Sequence, residues 1–381
     1  MKKVQYPVIL EQIFEKLNSY GIKPVIIGGY IRDSLLQIDS KDIDIELYDV
    51  DNIDHLEVLL SPFGNINEVG KSFSVIKLNI DELDLDFSLP RIDSKIAKGH
   101  KGFKITADSH LDFKTATSRR DFTINAIGYD VITNKLLDPF GGIEDLQNKE
   151  LRAVDLDKFG EDPLRVLRAV QFASRFELSM DQKLLQLCQE MIQNDQLLYL
   201  SKERIVAEIE KLLLKSKKPS SGFLLMKEMG LFQIFQEFHN LSEEDFNYTL
   251  SLLDRYKTVT HQVKKKEAFI TMLTLLTSKF SAEDRNSFLE RLTNDKEILH
   301  KIFNLHTFLQ SPSYTLAMRL DLELLHDYLQ TIEMKNYQDL INNIEPKIKG
   351  KDLIAQGLQP SVEFSKILEE KYQQQISRFL F

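Results

Sequence analysis

Residues 42–47 read Asp-Ile-Asp-Ile-Glu-Leu, a strict alternation of acidic and apolar side chains. Successive side chains of an extended strand leave opposite faces, so the segment is satisfied as a strand with Ile43, Ile45 and Leu47 against a core and Asp42, Asp44 and Glu46 on the other side. A helix would scatter both sets around its circumference. Upstream, Val25-Ile26-Ile27 is a short apolar strand that ends in the tight turn Gly28-Gly29, and Tyr30 to Leu36 follows as a short helix. A helix around 53–60 precedes strand candidates at 74–80 and 83–89. The second of these again alternates, with Leu85, Phe87 and Leu89 against Asp84, Asp86 and Ser88. The first 90 residues therefore predict a small mixed sheet with helices.

Beyond the sheet the pattern changes. Residues 91–118 hold Gly99, Gly102 and many Lys but few bulky apolar residues, which predicts a long mobile loop, and long loops in compact domains are usually functional. A turn follows at Leu136–Gly142. From about Glu161 the chain reads as helical almost throughout: Leu184, Leu187, Cys188, Met191 and Ile192 fall on one helical face, making Cys188 a small core residue. Breaks near 217–222 and 311–313 divide the helical part. With 381 residues, 43% hydrophobic and 28% charged, wholesale disorder is excluded and two or three domains are expected. The fold class is α+β, with a head over 1–150, a helical neck over 151–218, a helical body over 219–310 and a helical tail over 311–381.

Composition excludes several functions. A single cysteine forms no intramolecular disulfide and no Cys-based zinc site. The N-terminus leads into an amphipathic helix (Ile9, Ile13, Leu17) rather than a signal-peptide core, and no run of about 18 apolar residues spans a membrane. These features point to a cytoplasmic protein without membrane partners. A net charge of −9 argues against indiscriminate coating of nucleic acid. Yet residues 1–90 hold 16 acidic against 8 basic residues while residues 91–120 hold 3 against 8, an acidic region beside a basic segment.

Four segments carry candidate chemistry. Asp42 and Asp44 project from one face of a strand, and paired carboxylates suit hard Mg²⁺, which completes its shell with phosphate oxygens. Asp86, with Asp84 as its competitor, is a third carboxylate on a neighbouring strand. Gly28-Gly29 lets backbone N–H groups approach a phosphate, and Arg32 reaches an anion as a fork. Arg119-Arg120-Asp121 through Asn125 gathers guanidinium groups, a carboxylate and an amide suited to triphosphate and ribose. In Glu161-Asp162-Pro163-Leu164-Arg165-Val166-Leu167-Arg168, Asp162 and Pro163 start a helix, and Asp162 beside Arg165 offers the acceptor and donor fork that reading a base edge requires. Taken singly, each segment also has an ordinary structural explanation.

Together, GGYIRDSLL, KDID, RRDFTINA and EDPLRVLRA, in this order and spacing, resemble the class II tRNA nucleotidyltransferases, the CCA-adding enzymes, in a superfamily shared with bacterial poly(A) polymerases. The resemblance covers roughly residues 20–240, including GHKGF in the loop, DPFGGIEDLQNKELR after it and GLF at 230–232. It implies template-independent addition of C, C and A to the tRNA 3′ end from CTP and ATP. By the same resemblance Asp42 and Asp44 hold Mg²⁺ with Asp86 as helper, and Gly28, Gly29 and Arg32 lie at the nucleotide's phosphates. Arg120, Asp121 and Asn125 meet sugar and phosphates, Asp162 and Arg165 read the base, and Arg168 steadies the nucleotide. Residues 91–118 would adjust the base-reading pair when C gives way to A.

Departures from the pattern are Gln171, where many members carry a further Arg, and Ser361 and Ser365 in a tail motif usually richer in glycine. The only His-Asp dipeptide, His326-Asp327, lies far along the chain, so no metal-dependent phosphohydrolase activity is expected. Poly(A), A-only or CC-only addition on the same fold, and a non-catalytic RNA-binding protein, are the competing expectations. The acidic balance and the lack of a long basic extension favour tRNA.

Overall fold

Leu10, Ile13, Phe14 and Leu17 recur at helical spacing and are buried along helix α1 (Ile9–Ser19). The apolar triplet at 25–27 is likewise buried in strand β1 (Lys23–Ile27), which turns through Gly28 into α2 (Gly29–Leu35). The alternating segment forms β2 (Asp42–Tyr48), with Ile43, Ile45 and Leu47 in the core. These assignments come from a computed structural model, which describes residues 4–51, 54–67, 75–95, 103–259, 263–335, 337–377 and 379. Two compact units are present, Met1–Ala169 with Glu177–Tyr199, and Val170–Phe176 with Leu200–Phe381.

In the first unit, α3 (Asp54–Leu60) precedes β3 (Asn65–Asn67), β4 (Val75–Ile80) and β5 (Leu83–Ser88). Residues 91–118, read from sequence as one long mobile loop, are instead largely ordered. β6 (Arg91–Lys95) and β7 (Phe103–Ala107) pair as an antiparallel ribbon with Arg91 opposite Ala107, and α4 (Phe113–Thr117) follows, capped by the Asp112 carboxylate on Thr115 N–H. In β7 Phe103, Ile105 and Ala107 alternate with Lys104 and Thr106, a short period-2 signal that the Gly- and Lys-rich surroundings outweighed in the sequence reading. Of the GHKGF segment, residues 99–102 lie outside the described residues.

β8 (Gly128–Asp130) and β9 (Lys135–Leu137) complete a seven-stranded sheet ordered β3-β4-β5-β2-β1-β8-β9. Every pairing is antiparallel except β2 with β5, so the sheet is mixed, as the sequence predicts. The turn at 136–142 is explained by Asp138, whose carboxylate accepts the Gly142 and Ile143 N–H groups at 2.7 and 2.9 Å and so starts α5 (Gly142–Asn148). Short α6 (Leu156–Phe159) and then α7 (Leu164–Phe176) follow.

The second unit is helical. Its core holds an aromatic cluster in which Phe232 stacks on Phe238 at 4.6 Å, while Phe246, Phe280 and Phe288 meet Phe238 edge-on. Gly230, at φ +82°, makes the left-handed turn between the helix Pro219–Glu228 and Leu231. Lys301 draws three carboxylates together, Asp321 at 2.9 Å, Glu267 at 3.1 Å and Glu297 at 3.3 Å. Ser361, one of the two serines in the tail motif, caps the helix Val362–Ile376 by accepting from Phe364 N–H. Cys188 is buried. Among the described residues no helix is long and apolar enough to cross a membrane. The architecture is α+β, a mixed sheet followed by helices.

Candidate active site

Strand register builds an acidic row. The parallel pairing of β2 with β5 sets Asp42 opposite Asp84 and Asp44 opposite Asp86, while antiparallel β4 sets Asn79 opposite Asp84 and Lys77 opposite Asp86. Directly paired residues share a face, so all of these side chains project together from the sheet. The two candidates for a third carboxylate differ in their surroundings. Asp84 is exposed and accepts from the Asn79 amide, whereas half-buried Asp86 is held by the Lys77 ammonium at 2.8 and 3.0 Å.

Asp86 also reaches Asp44 electrostatically. The Asp44 side chain touches solvent, but surrounding protein restricts its hydration and raises its carboxyl above the ordinary value of 3.8; Arg120 pulls it down, and Asp86, Glu46 and Asp42 push it up. Such crowding of like charge is what a bound cation relieves.

Ile27, the last residue of β1, lies opposite Asp44, so the Gly28 turn begins beside the acidic row. Gly28 has φ +77° and ψ −124°, a region reserved for glycine, and its N–H is held by the Ile127 carbonyl at 3.0 Å. A Cβ on Gly28 would come within 2.6 Å of Arg120 Nη1. The glycine therefore serves both the turn and the seat of Arg120.

Beside this edge runs a chain of buried and part-buried hydrogen bonds. Arg168 of α7 donates twice to Asp121 Oδ2, at 2.8 and 2.5 Å; Asp121 Oδ1 accepts from the Asn125 amide at 2.9 Å and from Phe122 N–H at 2.8 Å. Asn125 Oδ1 then accepts from Arg32 Nη1 at 2.6 Å, and Arg32 also grips Asp33 Oδ1 at 2.6 and 2.8 Å. Burial would raise the Asp121 carboxyl, but Arg168 and the hydrogen bonds from Asn125, Arg168 and Phe122 N–H hold it below its ordinary value. Four predicted site residues from three distant segments are thus one connected frame.

Asp162 and Arg165 sit at the start of α7 as expected, with Asp162 Oδ1 accepting Leu164 N–H at 3.1 Å. Arg165 donates to the Lys158 and Arg119 carbonyls at 2.8 and 2.7 Å, which fixes its plane next to the Arg119–Asp121 segment. A guanidinium has five N–H groups, so these two bonds leave donors for a ligand. Gln171 is buried. His326 and Asp327 share the helix Leu322–Thr331, 3.4 Å apart.

Three participants escaped the sequence reading. Glu46 is only 1% exposed, and its carboxylate accepts from Arg119 Nη2 at 3.1 Å and from the Tyr48 hydroxyl at 2.9 Å, with Arg120 Nη2 at 4.0 Å. It continues the Asp42, Asp44 alternation, the one signal that tied it to the site. Asp33 and Lys77 carried no signal beyond their type.

Residues 25–152 match the family described as the poly A polymerase head domain, and residues 177–241 match the one described as a probable RNA and SrmB- binding site of polymerase A. The acidic row, the glycine turn and the helices behind them thus define a chain with a polymerase-type head. Over residues 25–152 the chain is a poly A polymerase-type head, and over 177–241 it carries the matching RNA-binding segment.

Among curated relatives, the "Multifunctional CCA protein" of Nitrosospira multiformis is 34% identical over 209 residues, 55% of this chain and 48% of that protein. That of Chromobacterium violaceum is 36% identical over 205 residues, 54% and 48% respectively. The chain spans about half the length of these relatives in the matched region. Among solved structures, a CCA-adding enzyme in complex with ATP is similar with a TM-score of 0.72 at 21% identity, over 98% of this chain and 92% of that one. A Thermotoga maritima CCA-adding enzyme complexed with tRNA gives 0.70 at 20%, over 98% and 93%. At such identities the likeness is one of fold.

A poly A polymerase-type head implies a divalent metal ion. Among the described residues no group of three or more His, Cys, Asp or Glu side chains forms a ready-made cage. The donors present fit an ion that takes one or two carboxylates and completes its shell from substrate and water: hard oxygen ligands, adjacent on one face, in mutual repulsion.

Proposed function

We propose that this chain adds C, C and A to the 3′ end of tRNA from CTP and ATP, without a nucleic-acid template and with release of pyrophosphate. The observation that carries the proposal is the juxtaposition of the Asp42–Asp44–Asp86 row with Gly28 and Arg120 at the end of β1. An acidic row calls for a cation, and an arginine over a glycine turn calls for an anion. A nucleoside triphosphate with its metal brings both.

In this reading Asp42 and Asp44 hold Mg²⁺ and Asp86 assists. Bound there, Mg²⁺ supplies charge neutralisation for the triphosphate and acidifies the attacking 3′-hydroxyl. The chain's own groups position. Gly28, Gly29, Arg32 and Arg120 face the phosphates, and Asp121 and Asn125 set the sugar while holding Arg32 and Arg168 in place. Asp162 and Arg165 supply acceptor and donors for the Watson–Crick edge, and Arg168 steadies the nucleotide. We divide the labour along the chain as a catalytic head (1–150), a base-reading neck (151–218), a body (219–310) and a tRNA-binding tail (311–381).

Primer extension tests this. The purified chain with Mg²⁺ is given tRNA transcripts ending before CCA or after CC, or unrelated RNA, with CTP, ATP or both. Three-nucleotide extension confined to tRNA is the expected result, lost in Asp42→Ala with RNA binding retained. Long A tracts on any RNA would make it a poly(A) polymerase, addition only of A after CC or only of CC would make it a partial enzyme, and no extension would leave an RNA-binding protein.

A further inference from the structure

Lys77 has no role in the scheme above, yet it stands in the acidic row. It lies directly opposite Asp86 on β4, Asp86 lies directly opposite Asp44 on β5 and β2, and so the three side chains form one line across the same sheet face. Its ammonium bonds both Asp86 oxygens, at 2.8 and 3.0 Å, and Asp44 and Asp84 add to the carboxylate charge around it. The side chain is 49% exposed and Asp86 34%, so the pair stands at the surface of the sheet and can part without disturbing the core. Asp84, in the neighbouring pair, is met by the neutral Asn79 amide.

We propose that Lys77 is a built-in counter-cation of the carboxylate row, which a divalent ion must displace from Asp86 or bind beside. This inference rests on the reading that Asp42, Asp44 and Asp86 serve a metal. Two consequences follow from charge alone. Lys77 keeps the row from accumulating uncompensated negative charge before loading, and its positive charge weakens the hold of the row on any divalent ion. Lys77 thereby sets the metal concentration at which the site fills.

The probe is Mn²⁺ binding to the full chain without nucleotide or RNA, followed by calorimetry and by the loss of the free-ion electron paramagnetic resonance signal. Lys77→Met keeps a similar length and removes the charge. It is expected to bind Mn²⁺ roughly three- to tenfold more tightly than the parent chain, the size of a partly screened charge at this range. Lys77→Arg keeps the charge and should stay near the parent value. Unchanged or weaker binding in Lys77→Met, or equal tightening in Lys77→Arg, would overturn the proposal and leave an ordinary cross-strand ion pair. Asp44→Asn is the control that separates the two levels. If the parent's Mn²⁺ binding survives that change, the metal site itself is wrong and the inference falls with it.

Discussion

Arg120 lies so close to Gly28 that the space for a Cβ on the glycine is taken by the guanidinium, 2.6 Å from where that atom would be. The relationship ties the turn after β1 to a segment more than 90 residues away. Gly28→Ala should therefore fail twice. It forces φ +77° on a residue with a Cβ, a strain of about 1–3 kcal/mol, and it pushes Arg120 off its seat. The expected result is a folded protein whose KM for CTP and ATP rises about tenfold or more. An unchanged KM would show that Arg120 does not depend on this contact.

Buried Glu46 holds a half-buried arginine. Burial, first, then Arg120 and Arg91 lower Arg119 to about 10, and Glu46, ahead of Asp93, opposes this. Removing one member of a buried ion pair strands the other, so Glu46→Gln should cost about 3 kcal/mol in urea denaturation. A loss below about 0.5 kcal/mol would mean that solvent or another group takes over the guanidinium.

These two contacts mark where the sequence stops being informative. The strands were legible because each buries one face; periodicity put Asp42 with Asp44 and Asp84 with Asp86 on the polar faces, and the resemblance supplied their role. Glu46 obeys the same alternation as its neighbours yet is buried, because Arg119 and Arg120 arrive from elsewhere to cover it; period shows which face a residue takes, not what covers that face. The β6–β7 ribbon was missed although Phe103, Ile105 and Ala107 alternate with Lys104 and Thr106, because five residues of alternation stand beside the glycines and lysines of residues 95–102. The choice of Asp86 over Asp84 as neighbour of Asp44 depends on strand register, which local composition does not encode.

The Arg168–Asp121 pair predicts a defined acid response. Asp121 titrates below its ordinary 3.8 when folded, so its contribution to stability is complete above that value and is lost as pH falls through the folded one. Asp121→Asn should be less stable than the parent at pH 7, and the gap should narrow below about pH 4. Denaturation curves at pH 7 and pH 3 check this. A gap independent of pH would remove the charge from the explanation.

His306 predicts an effect of the opposite protonation type in the helical unit. It is 5% exposed on the helix Lys296–Gln310, facing Arg285 of Ala282–Leu292 and, with ring centroids 6.2 Å apart, Tyr328 of Leu322–Thr331. Burial, then the Arg285 charge, lowers it to about 3, against a hydrogen bond with the Thr274 backbone that works the other way. In the unfolded chain the same ring protonates near 6.5. The folded state thus refuses a proton that the unfolded state accepts. Stability from this residue is complete above about pH 6.5 and declines as pH falls towards 3, by at most about 1.4 kcal/mol per pH unit. His306→Gln keeps a donor for the Thr274 carbonyl and has no titration. Between pH 6 and 4.5 its denaturation midpoint should fall less steeply than the parent's; parallel slopes would mean that His306 takes up its proton in the folded chain, with Arg285 displaced to admit it.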